Sequence, residues 1–495
     1  MTIKHVFAVL LAASAAPLLA DSPPAISVQP QSADFAALDA DFAKWMAEAH
    51  VPGLVWGVVK NGELVHVKAM GVQDLDSRTP ATPDTAFRIA SMTKAFTGYS
   101  ILKLRDEGRL RLDDPVSKYV PETKGWAKGI SVGDLLHHTA GFVTDDPWGD
   151  RQQPLPEAEF TKMLKAGVPF STAPGTRYEY SNFGFALLGR VITNVSGQDY
   201  ASRVGATVLQ PLGMASSRYE VRDVPPGKLA LGYRWENDAW SPEPVMPHGA
   251  FGAMGGLVTT GNDYAKWIAF LLSAWPAQDE EAASRSTIRA MQYGGGMLHA
   301  RRRPGKEGDS CRLSAIYGAG LVAANDCVLG NVLFHGGGFP GYGSHMLLVP
   351  EAGLGVFALT NRTYAGPTAP VWDAATALFK SGYAAPRAIA PTPALETGYA
   401  AARRIWAAGG VEGERKYLAM NVAMDRSDAS WRTYLADLSV SLGECDDSPP
   451  VIATGNLSGR FSWACAKGRL EGTLLLAPVA SPQIQSLTLQ AIPNP

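Results

Sequence analysis

A serine and a lysine stand three residues apart in the segment FRIASMTK, which places Ser91 and Lys94 on one face of a helix, a single turn apart. A serine hydroxyl is a weak nucleophile until a neighbouring base accepts its proton. A partly buried lysine can act as that base because burial lowers its pKa. At a helix start, backbone N–H groups also face a developing oxyanion. The pattern predicts Ser91 as a nucleophile and Lys94 as its base.

Two further segments carry residues suited to the same chemistry. Tyr180 and Asn182 lie where a loop enters the helical run FGFALLGRVI. A tyrosine with a lowered pKa can act as a general base, and an asparagine can orient a substrate amide. In FHGGGFPGY, His335, Gly337 and Gly338 stand between two apolar strands, where glycines let the backbone approach closely and offer an N–H to an oxyanion. Taken singly, these features also fit a capped loop and a tight turn.

In this order, the S-x-x-K, Y-x-N and H-x-G segments resemble the serine β-lactamase and penicillin-binding-protein superfamily. They are most similar to the branch that holds class C β-lactamases, D-peptidases and related esterases. The resemblance covers about 34–383 and includes LDDPVSKYVPE, SVGDLLHHTAGF, PGTRYEYSNFG and GGLVTTGNDYAKWIAFLL. It implies an α+β fold of the β-lactamase/transpeptidase type, in which an antiparallel sheet is flanked by helices and joined to a helical subdomain.

The resemblance also implies a role for each residue. Ser91 becomes the acylated nucleophile, Lys94 its proton acceptor or relay, and Tyr180 the base that activates the hydroxyl and later the deacylating water. Asn182 holds the substrate amide. The N–H groups of Ser91 and Gly338 form the oxyanion hole.

His335 departs from the lactamase pattern, which has lysine at this position. A neutral or partly charged imidazole offers less fixed positive charge to a substrate carboxylate. Because H-x-G occurs in D-aminopeptidase-like and esterase-like members, the resemblance favours a peptide or ester substrate over a β-lactam. We hypothesise that His335 assists Tyr180, in which case His335→Lys should shift the pH profile of activity; an unchanged profile would contradict this.

Three other patterns are interpreted as structural or absent. Ser100 and Lys103 repeat the S-x-x-K spacing inside the same predicted helix without a helix start. Adjacent His137 and His138 point to different faces of a helix and lack a metal-binding pattern, so no metal site is predicted. No cofactor is expected, and the missing G-x-S-x-G segment argues against an α/β-hydrolase triad.

The elements around the motifs predict one composite sheet. GLVWGVVKNGELVHVKAMG predicts a β-hairpin that turns at Asn61 and Gly62, and strand-like runs return at 316–360. The intervening segment, about 84–290, is mainly helical. Because early and late strands flank a helical insertion, we expect both ends of 34–385 to build one sheet with a helical subdomain between them.

The last hundred residues differ from the rest of the chain in composition and in hydrophobic periodicity. The Pro- and Ala-rich composition of 386–396 predicts a linker between domains. Helical periodicity and then strand-like alternation predict a small separate α+β domain over 397–495. The basic run RRRPGKEG at 301–308 is interpreted as a solvated loop rather than an anion site.

The N-terminus predicts export. Residues 1–20 place Lys4 before an apolar stretch that is shorter than the roughly 20 residues of a membrane span and ends in small residues, as in a cleaved secretory signal. Cleavage after Ala20 or Ala15 fits, and 21–33 then form an N-terminal linker. We expect a periplasmic or secreted protein with no membrane anchor after signal removal.

The four cysteines predict two disulfides, most simply Cys311–Cys327 and Cys445–Cys465. Four cysteines allow three pairings, and free buried thiols are the alternative. Closing either loop would contribute about 3 kcal/mol in the chain-entropy model.

The composition excludes some classes of protein and of partner. A chain of 495 residues that is 46% hydrophobic and 18% charged is not intrinsically disordered. A formal charge of -2 gives no electrostatic reason to expect a nucleic-acid partner. We predict an exported serine hydrolase that forms an acyl-enzyme with a small molecule or short peptide. Peptidase or amidase activity ranks first, with D-residue specificity as one form, then carboxylesterase, then weak β-lactamase activity. A catalytically silent binding or sensor protein is the alternative of another class; the oligomeric state stays open.

Overall fold

The computed structural model describes residues 33–146, 148–276, 283–306 and 311–493. The predicted signal at 1–20 lies outside these residues, as does nearly all of the segment at 21–33. Among the described helices, none combines the length and apolar character of a membrane span.

The helices and strands are numbered in chain order. The strands are β1 (Gly53–Lys60), β2 (Glu63–Gly71), β3 (Ala86–Arg88), β4 (Tyr233–Glu236), β5 (Ala239–Pro242), β6 (Val258–Thr260), β7 (Gly296–Arg302), β8 (Arg312–Tyr317), β9 (Val322–Asp326), β10 (Gly330–Phe339), β11 (Tyr342–Val349), β12 (Leu354–Thr360), β13 (Cys445–Asp446), β14 (Ile452–Gly455), β15 (Ser458–Cys465), β16 (Gly468–Leu476) and β17 (Ile484–Pro493). The α-helices are α1 (Phe35–Glu48), α2 (Thr93–Asp106), α3 (Val116–Tyr119), α4 (Val132–Leu136), α5 (Trp148–Arg151), α6 (Glu157–Ala166), α7 (Asn182–Ser196), α8 (Tyr200–Val204), α9 (Gly252–Gly255), α10 (Gly261–Leu272), α11 (Ala283–Ala290), α12 (Thr368–Lys380), α13 (Pro393–Ala408), α14 (Met420–Asp425) and α15 (Asp428–Leu442).

An antiparallel sheet of eight strands forms the centre of the larger unit, in the order β2-β1-β12-β11-β10-β9-β8-β7. The hairpin of β1 and β2 turns at Asn61 and Gly62, whose φ angles of 51° and 88° suit a two-residue turn. Strand β1 then pairs with β12, the last strand of this sheet in the sequence, with Leu54 opposite Thr360. This pairing confirms that both ends of the segment build one sheet.

Helices cover both faces of this sheet. On β11, the neighbours His345 and Met346 point to opposite faces because side chains alternate along a strand. His345 accepts a hydrogen bond from Trp372 of α12, and the Met346 sulfur accepts one from Tyr264 of α10. Helices α2 to α11 lie between the early and late strands of the sequence, so the predicted α+β architecture with a helical insertion is confirmed.

The C-terminal segment has its own core. A second sheet has the order β13-β15-β16-β17, with β14 on β15, and it packs with α13 to α15. Helix α13 begins at Pro393, inside the segment expected as a linker, with the Thr392 side chain accepting the Leu395 N–H. Ile389 also pairs with Ala453. The connection without helical structure is therefore shorter than 386–396.

The structure tests the predicted disulfides and the predicted solvated loop. The disulfides Cys311–Cys327 and Cys445–Cys465 are both formed. The expectation of a solvated basic loop is wrong at Arg303, because its side chain is fully buried. Its Nε donates to Asp326 Oδ2 at 2.6 Å and an Nη donates to Thr376 Oγ1 at 2.6 Å.

Candidate active site

Ser91 lies in a single 3-10 turn, Ala90–Met92, that leads directly into α2. Ala90 has a φ of 51°, a left-handed conformation that is uncommon for a residue with a side chain. The turn is tied to the sheet because the Ile89 carbonyl accepts the Ser344 hydroxyl of β11 at 2.8 Å. The backbone therefore presents Ser91 at the N-terminal end of a helix.

Lys94 is fully buried beneath Ser91. Its Nζ lies 3.0 Å from Ser91 Oγ, 2.7 Å from Asn182 Oδ1 and 2.9 Å from the Met254 carbonyl oxygen. Burial lowers the pKa of Lys94 to about 8, an effect that nearby carboxylates, Asp146 foremost, oppose. The amide and carbonyl oxygens can only accept hydrogen bonds. In the neutral amine, the two N–H groups therefore go to these oxygens, and the lone pair is left for the hydroxyl proton of Ser91.

Tyr180 lines the same cleft as Ser91. Its side chain is half-buried, and the Ser91 hydroxyl acts on the Tyr180 hydroxyl by lowering its pKa, against the larger effect of burial. The Lys94 Nζ lies 4.8 Å from the centre of the Tyr180 ring. Burial raises the pKa of Tyr180 well above its ordinary value because it disfavours the phenolate. The expectation of a lowered pKa is therefore wrong, and Tyr180 is a neutral O–H group here.

Asn182 is the first residue of α7, and its position is set by Asp145. The Asp145 carboxylate accepts the backbone N–H groups of Asn182 and Phe183 at 2.6 and 2.8 Å. The Asn182 side-chain oxygen accepts from Lys94, and its NH₂ donates to Asp146. Both ends of the side-chain amide thus have protein partners, and its role toward a substrate stays a prediction.

His335 has a defined tautomer. Its Nδ1 lies 2.6 Å from the Gly336 carbonyl oxygen and its Nε2 lies 2.8 Å from the Tyr317 hydroxyl. Because a carbonyl only accepts, Nδ1 carries the proton and Nε2 accepts from Tyr317. Burial, together with the charge of Lys94, lowers the pKa of His335 to about 4. The rings of His335 and Tyr180 are centred 6.4 Å apart, and the hypothesis that His335 assists Tyr180 stays a prediction.

Two glycines of β10 allow that strand to pass close to the Ser91 turn. A Cβ on Gly337 would lie 2.2 Å from Ser344 Oγ and 2.3 Å from the Ile89 carbonyl oxygen. A Cβ on Gly338 would lie 2.8 Å from the Tyr364 ring. Only glycine fits at Gly337 without movement of the backbone, and this close passage brings β10 beside the nucleophile.

One cleft of about 640 Å³ joins these residues. Ser91, Tyr180, His335, Gly337 and Gly338 line it, whereas Lys94 and Asn182 are buried behind its wall. The structure thus brings all the predicted site residues together.

A family model named Beta-lactamase matches residues 38–380 of the chain. The chain belongs to the Beta-lactamase family. It is 30% identical over 328 residues to Protein flp of Staphylococcus aureus (strain NCTC 8325 / PS 47), an overlap of 64% of this chain and 61% of that protein. The chain therefore spans about three fifths of the length of this relative. Uncharacterized protein MT1414 of Mycobacterium tuberculosis (strain CDC 1551 / Oshkosh) is 29% identical over 269 residues, 48% of this chain and 67% of that protein.

A solved structure supports the fold independently. The octameric penicillin-binding protein homologue from Pyrococcus abyssi matches with a TM-score of 0.61 at 22% identity, covering 92% of this chain and 100% of that chain. At this identity the likeness shows the fold alone. It covers most of the length of this Beta-lactamase family member.

The motifs did not reveal the acidic side of the cleft. Asp146 and Asp150 line it, and the Tyr364 hydroxyl donates to Asp150 Oδ2 at 3.0 Å. Burial, with the charge of Asp146, raises the pKa of Asp150 to about 7. Among the described residues, no lysine or arginine side chain lines the cleft. The one sequence signal was the carboxylate-rich stretch DDPWGD, which only the fold brings to Ser91.

The patterns interpreted as structural have structural partners. The Ser100 hydroxyl donates to the Phe96 carbonyl one turn earlier in α2, at 2.8 Å. His138 Nδ1 accepts the Ser181 N–H at 3.0 Å and so helps to hold the loop that carries Tyr180. Within the described part of the chain, no three His, Cys, Asp or Glu side chains lie close enough together to hold a metal ion.

Proposed function

We propose that this chain is a serine hydrolase that cleaves its substrate through an acyl-enzyme on Ser91, with Lys94 as the base. The observation that carries the proposal is the environment of the Lys94 Nζ. Two of its three neighbours can only accept hydrogen bonds, and the third is Ser91 Oγ at 3.0 Å. A neutral amine held this way directs its lone pair at the nucleophile.

In the proposed first half-reaction, the Ser91 oxygen attacks the substrate carbonyl as its proton passes to Lys94. The N–H groups of Ser91 and Gly338 stabilise the oxyanion. Tyr180, a neutral O–H group, passes its proton to the leaving group while it receives one from the Lys94 ammonium, so that the two transfers form one concerted relay. The bond from Ser91 Oγ to the acyl carbon forms, the bond to the leaving group breaks, and Lys94 returns to the amine.

Deacylation reverses these transfers. A water molecule attacks the acyl carbon while Lys94, directly or through Tyr180, takes one of its protons. The acyl bond to Ser91 then breaks, and the same proton returns to the serine oxygen. No step needs a phenolate, which agrees with the raised pKa of Tyr180.

For the substrate, we propose the amide bond of a short peptide with a free amino group. The Asp146 carboxylate, joined by that of Asp150 as the pH rises through its pKa of about 7, favours a cation in the cleft. The neutral His335 supplies no positive charge to a carboxylate. Esters are the second candidate because Ser91 acylation by an ester needs less help for the leaving group. β-Lactams rank third, since these compounds carry a carboxylate.

We also propose export to the periplasm or the medium. The apolar segment at 1–20 and the two disulfides support it, because disulfides persist in oxidising compartments.

Covalent labelling tests the nucleophile. The full chain should react with a fluorescent fluorophosphonate, and Ser91→Ala should abolish labelling. Ser100→Ala is the matched control, because it removes the serine of the second S-x-x-K pattern and should keep labelling. Failure of both a fluorophosphonate and a fluorescent β-lactam to label the protein would favour the binding or sensor alternative.

A substrate panel tests the specificity. Short D- and L-peptides with a free or an acetylated amino terminus are compared with nitrophenyl esters and a chromogenic cephalosporin. We expect a kcat/KM at least tenfold higher for free-amine peptides than for their acetylated forms, equal to about 1.4 kcal/mol. Faster cleavage of the acetylated peptides would contradict the assignment of the acidic cleft.

A further inference from the structure

A tyrosine outside the three motifs holds the imidazole of the third. Tyr317 is the last residue of β8, which is separated from β10 by β9 in the sheet. Its side chain is buried, lines the cleft, and has its hydroxyl 2.8 Å from His335 Nε2. Since Nδ1 of His335 already donates to the Gly336 carbonyl, the imidazole has no free nitrogen.

The neighbours of His335 leave the neutral imidazole as the favoured form. The charge of Lys94, behind the cleft wall, opposes an imidazolium. His138 and His345 are also buried, and burial lowers the pKa of each. Tyr180 is a neutral phenol.

The Asp146 carboxylate also lines the cleft, where its charge acts on Tyr317 and Tyr180. No carboxylate among the described residues hydrogen-bonds to His335. Protonating Nε2 would therefore break the hydrogen bond that the Tyr317 hydroxyl donates to it, without a compensating ion pair.

We propose that Tyr317 is a positioning residue whose hydrogen bond fixes the tautomer of His335 and adds to burial in keeping it neutral, so that the cleft selects against substrates with a carboxylate next to the scissile bond. The proposal rests on the proposed hydrolase function and deepens its specificity. The charge state of His335, on β10, then depends in part on Tyr317, on β8.

Histidine NMR of the whole protein tests the first part without any substrate. The chain has nine histidines, and His335→Gln identifies the signals of His335. In the unsubstituted protein, the ¹⁵N shifts should show a protonated Nδ1, and the ring should not titrate between pH 5 and 8. In Tyr317→Phe, the titration midpoint should rise by about one unit, since a hydrogen bond to the neutral form is lost.

Tyr219→Phe is the matched control. Tyr219 is buried and its hydroxyl bonds to Tyr200 outside the cleft, so this variant should leave the His335 midpoint unchanged. An unchanged midpoint in Tyr317→Phe, or a midpoint near 6.5 in the unsubstituted protein, would overturn the proposal. The ¹⁵N shifts of the unsubstituted protein decide the tautomer even if Tyr317→Phe fails to fold.

Kinetics test the selectivity. A free-amine dipeptide is compared with its C-terminal amide at pH 5 and pH 7.5. Tyr317→Phe should raise the acid-to-amide ratio of kcat/KM severalfold at pH 5 only, and adding His335→Gln should remove this gain. A gain that persists without His335 would refute the role of Tyr317. If neither peptide is cleaved, the proposed function fails, whereas the NMR titration still decides the charge state.

Discussion

The pH dependence of Ser91 acylation separates the two candidate bases. The pKa of Lys94 is lowered to about 8, whereas that of Tyr180 is raised well above its ordinary value. If neutral Lys94 accepts the serine proton, the acylation rate should fall tenfold per pH unit below pH 8, to about one hundredth of its plateau at pH 6. If a Tyr180 phenolate were the base, the rate would rise only above pH 10.

The assay is the second-order rate constant for labelling by a fluorophosphonate. Its fluoride leaving group needs no proton, so the measurement reports activation of Ser91 and not proton delivery by Tyr180. A profile that stays flat between pH 6 and 9, or that rises only above pH 10, would refute Lys94 as the base.

Asp150 titrates in the same range, because its pKa is raised to about 7, and it needs a control. Asp150→Asn should keep the acid limb and move it to lower pH, since this carboxylate helps to hold the pKa of Lys94 up. Asp146→Asn should move it further, by on the order of one pH unit, because Asp146 is the strongest of the opposing charges. Loss of the acid limb in Asp150→Asn would assign it to Asp150 instead.

Further predictions concern stability and packing. Asp326→Asn leaves the buried Arg303 guanidinium without its carboxylate and should cost about 3–5 kcal/mol in urea unfolding; a cost under 1 kcal/mol would contradict this. Asp145→Ala removes the acceptor of two N–H groups at the start of α7, so it should cost about 1–2 kcal/mol in the same assay and slow fluorophosphonate labelling. Gly337→Ala should abolish labelling, because its Cβ would overlap two oxygen atoms; full labelling would show that β10 can shift. Asp150→Asn should stabilise the protein more at pH 8 than at pH 5. A carboxyl whose pKa is raised by folding stabilises the folded state less as the pH rises from about 4 to 7, and the asparagine variant escapes this loss. An equal shift of the urea midpoint by the substitution at both pH values would refute this prediction.

Features with local causes could be predicted from the sequence. The turn at Asn61 and Gly62 follows from two residues that tolerate positive φ, and the strands beside it alternate or are continuously apolar. The start of α13 was missed because Pro393 stands in a Pro-rich stretch. Proline both interrupts helices and begins them, and only packing of the following apolar face decides between these roles.

Features that depend on distant partners could not be predicted. Arg303 stands in a basic run that is typical of a solvated loop, yet its partner Asp326 lies 23 residues later, at the end of β9. The site shows the same limit. Residue types and order were enough to assemble Ser91, Lys94 and the other motif residues, but not the charge on each. A pKa depends on burial and on neighbours from several elements, and for Tyr180 burial reversed the expected direction.

The effect of having histidine at position 335 depends on the charges of Lys94, Asp146 and Asp150. A lysine in place of His335 would bring a second ammonium group toward Lys94 and would lower the pKa of Lys94 further. With the neutral imidazole, Lys94 keeps a pKa near 8, and the carboxylates of Asp146 and Asp150 meet no cation across the cleft. The exchange of lysine for histidine therefore removes one positive charge from the cleft that a substrate meets. On this argument, His335→Lys should gain carboxylate substrates only together with removal of Asp146 or Asp150.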